Sequence, residues 1–140
     1  MIEEFDIKQL IPQRHPIMMV DELVWADDES ARCKLTVRED NYFLREDDCL
    51  NEVGIIEHMA QSASAHAGFL SKKTGSENPP IGYIGEVKNF RLHELPRKGD
   101  VLTTTVQKMA EADKVTIVKA ETYVEDKLMA ETQLKISIKG

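Results

Sequence analysis

The sequence predicts an α+β fold in which an antiparallel sheet of about six strands covers a single long helix. One stretch, residues 53–70, has helical character and is apolar nearly all round. A helix without a polar face has to be buried on most of its sides. Two strand-like runs precede this helix and four follow it, and short polar turns join the later runs into hairpins. One sheet curved around the helix is the economical way to cover it.

Length and composition limit the domain organisation and the class of partner. A chain of 140 residues, 41% hydrophobic and 31% charged, suits one globular domain over residues 1–140. The formal net charge of -7 argues against nucleic acid as the main partner. Two cysteines without a CxxC pair, with no signal peptide or membrane-spanning run, predict a reduced, cytoplasmic protein without a membrane partner.

The part of the chain before the helix predicts a short helical turn and a β-hairpin. Residues 4–12 are typical of one or two helical turns. Residues 16–30 start as an apolar run and end in a polar turn, whereas residues 31–40 alternate apolar and polar positions as a half-buried strand does. An acidic connection over residues 41–52 then leads to the helix, with Asn51 as the expected N-cap.

The part after the helix predicts a loop and four strands. Gly75 and the two prolines Pro79 and Pro80 mark residues 71–80 as a surface loop. The strand-like runs are residues 81–92, 100–110, 114–124 and 127–138. A sheet wrapped around one central helix is a hot-dog arrangement. Because one such layer leaves an edge and a face open, we expect a dimer.

A carboxylate and an amide side chain lie within the largely apolar helix. Glu57 and Gln61 are four residues apart and therefore share one face. A carboxylate in an apolar setting is costly unless it is paired or hydrogen-bonded. This acid is therefore the first candidate for chemistry, with a packing role as the alternative.

Three stretches together resemble a known family. IPQRHPIMMVDELV resembles the LPHRYPFLLVDRV opening of the 3-hydroxyacyl-acyl carrier protein dehydratases of the FabZ and FabA type. VGIIEHMAQSASAHAG resembles their GVLIIEALAQAGG helix, and IGYIGEVKNFRLHELPRKGDVL resembles their FAGIDNARFRRPVVPGDQL strand and turn. The order agrees over roughly residues 7–106. LREDDCLNEVGIIEHMAQ is still more similar to the ApeP-like dehydratases of aryl-polyene and flexirubin clusters.

The resemblance implies a hot-dog homodimer or heterodimer that acts on acyl thioesters held by acyl carrier protein, without a cofactor or a metal. The reaction would remove water from a 3-hydroxyacyl group and leave a trans-2-enoyl group. Glu57 and Gln61 match the catalytic positions. Glu52, Val53 and Gly85 fall where the substrate is bound, and the helix start suits developing negative charge on the thioester carbonyl.

One part of the dehydratase pattern is missing. The relatives carry a catalytic histidine in a GHFPxxPxxPG segment fourteen residues before the acid, and here that count ends on Phe43. The ApeP-like group has the same shortening. The catalytic acid of the relatives therefore has a counterpart in Glu57, whereas their catalytic histidine has no counterpart in this sequence. Two alternatives therefore stay open: a non-catalytic subunit paired with a histidine-bearing homologue, and a thioesterase in which Glu57 activates water.

None of the four histidines of the chain matches the catalytic histidine of the relatives. His58 follows the acid, but helical geometry turns it about 100° away, which favours an interface role. His66 is expected in the core or an interface, and His15 and His93 at structural or surface positions. The histidines also lack the HExxH spacing of a zinc site.

Charged residues elsewhere suggest a docking surface. Lys88, Arg91, Arg97 and Lys98 fall in a segment richer in bases than the rest of the chain, and an acidic carrier protein would dock there. Asp47 and Asp48 lie where the missing histidine belongs. They could form a two-carboxylate site with Glu57, although a solvated acidic loop is the simpler interpretation.

Overall fold

The structure is a computed structural model that describes residues 6–75 and 81–139. A short 3₁₀-helix and two strands precede the only helix longer than one turn in these ranges, and four strands follow it. The elements are the 3₁₀-helix Ile7–Gln9, β1 Glu22–Ala26, β2 Ser30–Thr36, α1 Glu52–Lys73, β3 Ile81–Leu92, β4 Val101–Ala112, β5 Val115–Val124 and β6 Lys127–Lys139.

The six strands form one antiparallel sheet in the order β1-β2-β4-β5-β6-β3. β1 and β2 make the predicted hairpin, with Ala26 opposite Ala31. The alternation predicted for β2 holds, because Ala31, Cys33 and Leu35 are buried between exposed neighbours. Helix α1 packs across this sheet. The predicted α+β, hot-dog arrangement is therefore confirmed.

Helix α1 begins as predicted and ends later. The Asn51 side chain accepts the Val53 N–H at 2.8 Å, which confirms Asn51 as the N-cap. The helix continues to Lys73, so the first part of the predicted loop is helical, and residues 76–80 of that loop lie outside the described residues. The sequence PIMMV was expected to open the first strand, but residues 16–21 contain no strand, and β1 starts only at Glu22.

The last strand departs from strict alternation at a bulge. Its register against β5 runs from Thr122 opposite Ala130 to Tyr123 opposite Leu128, so Met129 is the extra residue. Met129 is buried and Leu128 only half-buried, although Leu128 was expected on the buried face. The predicted inward face holds further along the strand, where three residues are buried: Thr132, Leu134 and Ile136. The side chain of Ile138 lies outside the described part.

The sheet covers the helix on one side only. Half-buried or exposed positions include seven residues that follow one another along one side of α1, and we call these seven the open stripe: Val53, Ile56, Glu57, Ala60, Ser64, Ala67 and Ser71. Val53 is 57% exposed. The expectation that α1 is buried on most sides is therefore wrong for this stripe.

The two edges of the sheet differ in length. β1 is a five-residue edge strand, and β3, at the other edge, has twelve residues. Within residues 6–75 and 81–139, β3 pairs only with β6, and it exposes Ile84, Val87 and Leu92 by more than a third. A long edge with apolar side chains is a template for pairing with another strand. In the described ranges, no helix is both long and apolar enough to cross a membrane.

Candidate active site

The first half of α1 places Glu57 and Gln61 one turn apart and in contact. Gln61 is fully buried, and its Nε2 donates to Glu57 Oε2 at 2.8 Å. The same nitrogen donates to the Ile17 carbonyl at 2.9 Å, and Gln61 Oε1 accepts the Met19 N–H at 2.6 Å. One glutamine therefore fixes an oxygen of the acid and ties it to residues 17–19.

Glu57 itself is half-buried and belongs to the open stripe. The sequence had suggested a carboxylate enclosed in the core, and the structure corrects this. Gln61 occupies Oε2, whereas no described residue hydrogen-bonds to Oε1. The acid is thus oriented through one oxygen and available to a ligand through the other.

His58 faces the core instead of an interface. It is fully buried, and its Nδ1 lies 2.6 Å from the Met19 carbonyl oxygen. Because a carbonyl can only accept, Nδ1 carries the proton. Nε2 is buried and has no hydrogen-bond partner among the described residues. Burial lowers the pKa of His58 from 6.5 to about 4, against the Met19 hydrogen bond, which raises it.

His66 makes a similar contact two turns further along the helix. Its Nε2 lies 2.8 Å from the Asp27 carbonyl oxygen, and the residue is 3% exposed. Gln61, His58 and His66 thus satisfy backbone groups of Ile17, Met19 and Asp27, which lie on either side of β1 and outside its ladder. This confirms the core interpretation of His66.

The start of α1 offers fewer free donors than expected. The Val53 N–H, predicted to hold a thioester carbonyl, already donates to the Asn51 cap. Glu52 is exposed, and its N–H has no hydrogen-bond partner among the described residues. Gly85 lies in β3, where the register shifts from Ile84 to Glu86 and leaves Gly85 outside the ladder.

The predicted basic residues separate into two pairs. Lys88 and Arg91 lie on the edge strand β3, and Arg97 and Lys98 lie in the turn before β4, all four exposed. That turn runs beside the loop that enters α1. Its backbone is joined to the loop by a hydrogen bond from the Lys98 N–H to Asp48 and a bridge between Cys49 and Arg97.

The acidic loop pairs with bases. Asp47 Oδ2 lies 2.9 Å from Arg45, and Asp48 Oδ2 lies 3.6 Å from the Lys98 ammonium. Both aspartates are exposed. The geometry favours the solvated loop over a two-carboxylate site. Among the described residues, no group of three acidic, cysteine or histidine side chains could hold a metal ion.

Comparison with known proteins decides the family. The family model of the ApeP-like proteins, described as ApeP dehydratase, matches residues 5–138. The chain belongs to the ApeP-like dehydratase family. The resemblance seen in the sequence is thereby confirmed.

Curated relatives of this ApeP-like chain include two bacterial enzymes named 3-hydroxyacyl-[acyl-carrier-protein] dehydratase FabZ. The one from Lactobacillus helveticus is 30% identical over 138 residues, which cover 95% of this chain and 90% of the relative. The one from Lactiplantibacillus plantarum is also 30% identical over 138 residues, covering 95% and 91%.

Solved structures support the fold. The dehydratase heterocomplex ApeI:P from Xenorhabdus doucetiae contains a chain that matches with a TM-score of 0.92 at 18% identity, over 99% of this chain and 93% of that one. A hypothetical thioesterase with coenzyme A from Streptococcus pneumoniae matches with a TM-score of 0.69 at 11% identity, over 85% of each chain. At these identities the matches show the hot-dog fold alone.

An aromatic residue, Phe43, stands fourteen residues before Glu57 in the sequence. Phe43 is half-buried and packs on the first turn of α1, where a Cβ added to Gly54 would lie 2.5 Å from the Phe43 Cβ. A phenyl ring cannot accept a proton. His15 is exposed, and His93 pairs with Glu131 on the surface at 2.9 Å. None of the four histidines is therefore seen in contact with Glu57 among the described residues.

Sequence reasoning missed the role of residues 17–19. The apolar letters of this segment indicated a strand, whereas its backbone groups serve as partners for Gln61 and His58. A signal was present, because three polar residues at positions 58, 61 and 62 interrupt an apolar helix and need partners.

Proposed function

We propose that this chain acts in the dehydration of 3-hydroxyacyl thioesters on acyl carrier protein, as one half of a hot-dog pair. The single observation that carries the proposal is Glu57, oriented by Gln61 through one oxygen and open to a ligand through the other. The family and its FabZ relatives support the reaction class. In this proposal residues 1–140 act as a single hot-dog domain.

The chemistry requires two proton transfers. A base removes a proton from the carbon next to the thioester carbonyl, and an acid protonates the hydroxyl that leaves as water. Glu57 serves as the acid, with Oε1 delivering the proton while Gln61 holds Oε2. The N–H groups of Glu52 and Gly85 stabilise negative charge that develops on the carbonyl oxygen.

The base comes from the second chain. Counting fourteen residues back from Glu57 ends on Phe43 instead of a histidine, and no histidine of the described part hydrogen-bonds to Glu57. A partner hot-dog chain that carries the histidine would complete the reaction. The alternative of a lone thioesterase has no observation in its favour beyond the shared fold.

The partner attaches along β3. This twelve-residue strand pairs with β6 and with no other described strand, and Ile84 and Val87 are exposed by more than a third. Pairing with the same edge of a second chain would extend the sheet and bring another surface toward the open stripe. Val87→Lys should weaken this pairing. Met109→Lys, at a 54% exposed position of β4, provides the control.

Product analysis tests the reaction. Purified chain, alone and with a histidine-bearing FabZ-type homologue, is incubated with 3-hydroxyacyl-carrier thioesters, and enoyl product and free thiol are measured. We expect turnover only with the partner, and a loss of about 100-fold or more with Glu57→Gln because the proton donor is removed. Unchanged turnover by Glu57→Gln would contradict the site. Free thiol without enoyl product would identify a thioesterase instead.

Carrier docking belongs at the Arg97–Lys98 turn. Arg97 has no side-chain ion pair among the described residues, and the turn borders the loop that enters α1. Reversing both charges to glutamate should weaken binding of an acidic carrier about tenfold at low salt. The same reversal at Lys34 and Lys114 serves as the control. Equal affinities in both double variants would refute this docking site.

A further inference from the structure

Helix α1 lies on one side of the sheet, and we call the other side the outer face. The alternation along β4 separates the two sides, because Leu102 and Val106 are fully buried on the side of α1 and the residues between them point outward. Trp25 lies opposite Arg32 in the β1–β2 pair and therefore points outward with it. Trp25 is 38% exposed and Val101 is 42% exposed. The described part of the chain thus leaves apolar surface uncovered on the outer face.

The outer face of β4 carries no charge between residues 101 and 107. Its outward residues there are one valine, two threonines and one glutamine. Each of the other five strands carries at least one charged residue on the outer face: Glu22 on β1, Arg32 and Lys34 on β2, Lys119 and Glu121 on β5, Glu131 on β6 and Arg91 on β3. β4 is therefore an uncharged line near the middle of a charged surface.

An uncharged strand suits a two-fold axis between two packed sheets. Two sheets that pack face to face keep their strand directions within about 30° of each other. If the axis runs along β4, each outward residue of β4 lies over the same residue of the second copy. A charged residue at such a position would meet its own charge, which is repulsive. Because Thr103, Thr105 and Gln107 are uncharged, β4 avoids this repulsion.

The strands on either side of β4 carry opposite charges at the same level. Arg32 of β2 lies opposite Thr105 of β4, and Thr105 lies opposite Glu121 of β5. Rotation about an axis along β4 exchanges the two sides, so Arg32 of each copy lies over Glu121 of the other. Within one chain, Arg32 makes no ion pair with a described residue, and Glu121 pairs only loosely with Lys119, at 3.7 Å. Both charges are thus available to a second copy.

The size of the outer face limits the strength of such a contact. Neighbouring strands lie about 4.8 Å apart and each residue extends a strand by about 3.3 Å, so five strands over seven residues cover about 550 Å². Two copies together would bury about 1,100 Å², close to the lower limit for a specific interface. The association should therefore be reversible and depend on protein concentration.

We propose that two copies of this chain associate through their outer faces, with β4 on the two-fold axis and Arg32 of each copy paired with Glu121 of the other. The contact uses the side of the sheet opposite α1, so it leaves Glu57, the open stripe and the β3 edge free. Two hot-dog pairs would then assemble back to back. The proposal does not depend on the reaction that the chain takes part in.

Sedimentation across a range of protein concentrations tests the contact. The background is Val87→Lys, which weakens pairing along β3, and concentrations run from about 1 to 500 μM. We expect a reversible doubling of the mass. Arg32→Glu and Glu121→Arg should each raise the dissociation constant at least about tenfold, because like charges then face each other. The double variant exchanges the two charges and should return the constant to within about threefold of the background.

Two further variants locate the axis and control for charge. Thr105→Arg places two like charges over each other and should weaken the association about tenfold or more. Lys114→Glu reverses an exposed charge in the turn between β4 and β5 and should change the dissociation constant less than about twofold. A charge-exchanged double variant that associates no more tightly than its single variants would overturn the proposal, as would unchanged association of Thr105→Arg.

Trp25 provides a spectroscopic readout, because it is the single tryptophan of the chain and lies on the outer face. Its emission should shift to shorter wavelength as the Val87→Lys protein associates, since the ring leaves water. Adding Thr105→Arg should remove this shift. An emission that changes only when a FabZ-type homologue is added would assign the outer face to that partner and overturn the proposal.

Discussion

The two faces of helix α1 use polar residues in opposite ways. On the covered face, the side chains of His58, Gln61 and His66 are buried and hydrogen-bonded to backbone groups of residues 17–27. On the open stripe, Glu57 is half-buried and held at one oxygen only. The same helix therefore carries polar groups that the fold needs and an acid that it does not.

This difference separates stability from function. Buried polar groups are costly unless they are paired, so those on the covered face are fixed by packing. An acid on a partly covered stripe has no such constraint. Changes on the covered face should therefore act on the free energy of unfolding, and changes at Glu57 on activity.

The largest effect is expected where the covered face meets backbone. A Cβ at Gly68 would lie 2.1 Å from the Leu10 carbonyl oxygen, and this oxygen belongs to the main chain and cannot rotate away. Gly68→Ala should lower the free energy of unfolding by about 3 kcal/mol. Urea denaturation measures it.

Gly85→Ala is the matched control for this prediction. A Cβ at Gly85 would meet only the Lys135 carbonyl oxygen at 3.7 Å, an ordinary contact. Its unfolding free energy should stay within about 0.5 kcal/mol of wild type. Equal destabilisation by the two substitutions would contradict the close packing of α1 on the N-terminal segment.

The second-largest effect is expected at low pH, through protonation of His58 on the covered face. The unfolded chain protonates His58 near its ordinary value of 6.5, whereas burial lowers the folded pKa to about 4. The unfolded state thus binds more protons between these values, so stability is complete above pH 6.5 and falls as the pH decreases toward 4. The loss from this group amounts to about 3 kcal/mol.

Replacing His58 with a side chain that does not titrate shows how much of the pH dependence of stability it causes. His58→Asn can place an amide N–H toward the Met19 carbonyl without titrating in this range. Denaturation midpoints at pH 7 and pH 4.5 should differ less for His58→Asn than for wild type. The same pH dependence in both proteins would show that His58 does not cause it. His66, whose pKa is also lowered by burial, contributes in the same direction and remains in both.

The smallest effect is expected at the N-terminus of α1, where the open stripe begins. Asn51→Ala removes the side chain that accepts the Val53 N–H and should cost about 1 kcal/mol of unfolding free energy. Asn51→Asp, which keeps the acceptor, should cost much less. If Asn51→Ala lowered the free energy of unfolding as much as Gly68→Ala, the N-terminus of α1 would matter to the fold as much as the covered face.

Local patterns made much of the fold predictable. The apolar run at 53–70, the Asn51 cap and the alternation in β2 each depend on neighbouring residues, and all three appear in the structure. The pairing of Glu57 with Gln61 also follows from helical spacing. Residues 16–21 were misassigned because their apolar side chains suit a strand, while their backbone pairs with helix side chains far away in sequence.

The sequence by itself determined one central helix, a hairpin before it, four strands after it, and an acid paired with a glutamine, since these depend on periodicity and short spacings. Only the tertiary structure decided that the acid lies on an uncovered stripe, that His58 is a buried neutral donor, and that Phe43 packs against Gly54 at the start of α1. The contacts of His58 and Gln61 with residues 17–19 join parts of the chain that are 39 to 44 residues apart. Packing between distant parts of the chain decides which face of the helix the sheet leaves uncovered. Local sequence patterns do not contain this information.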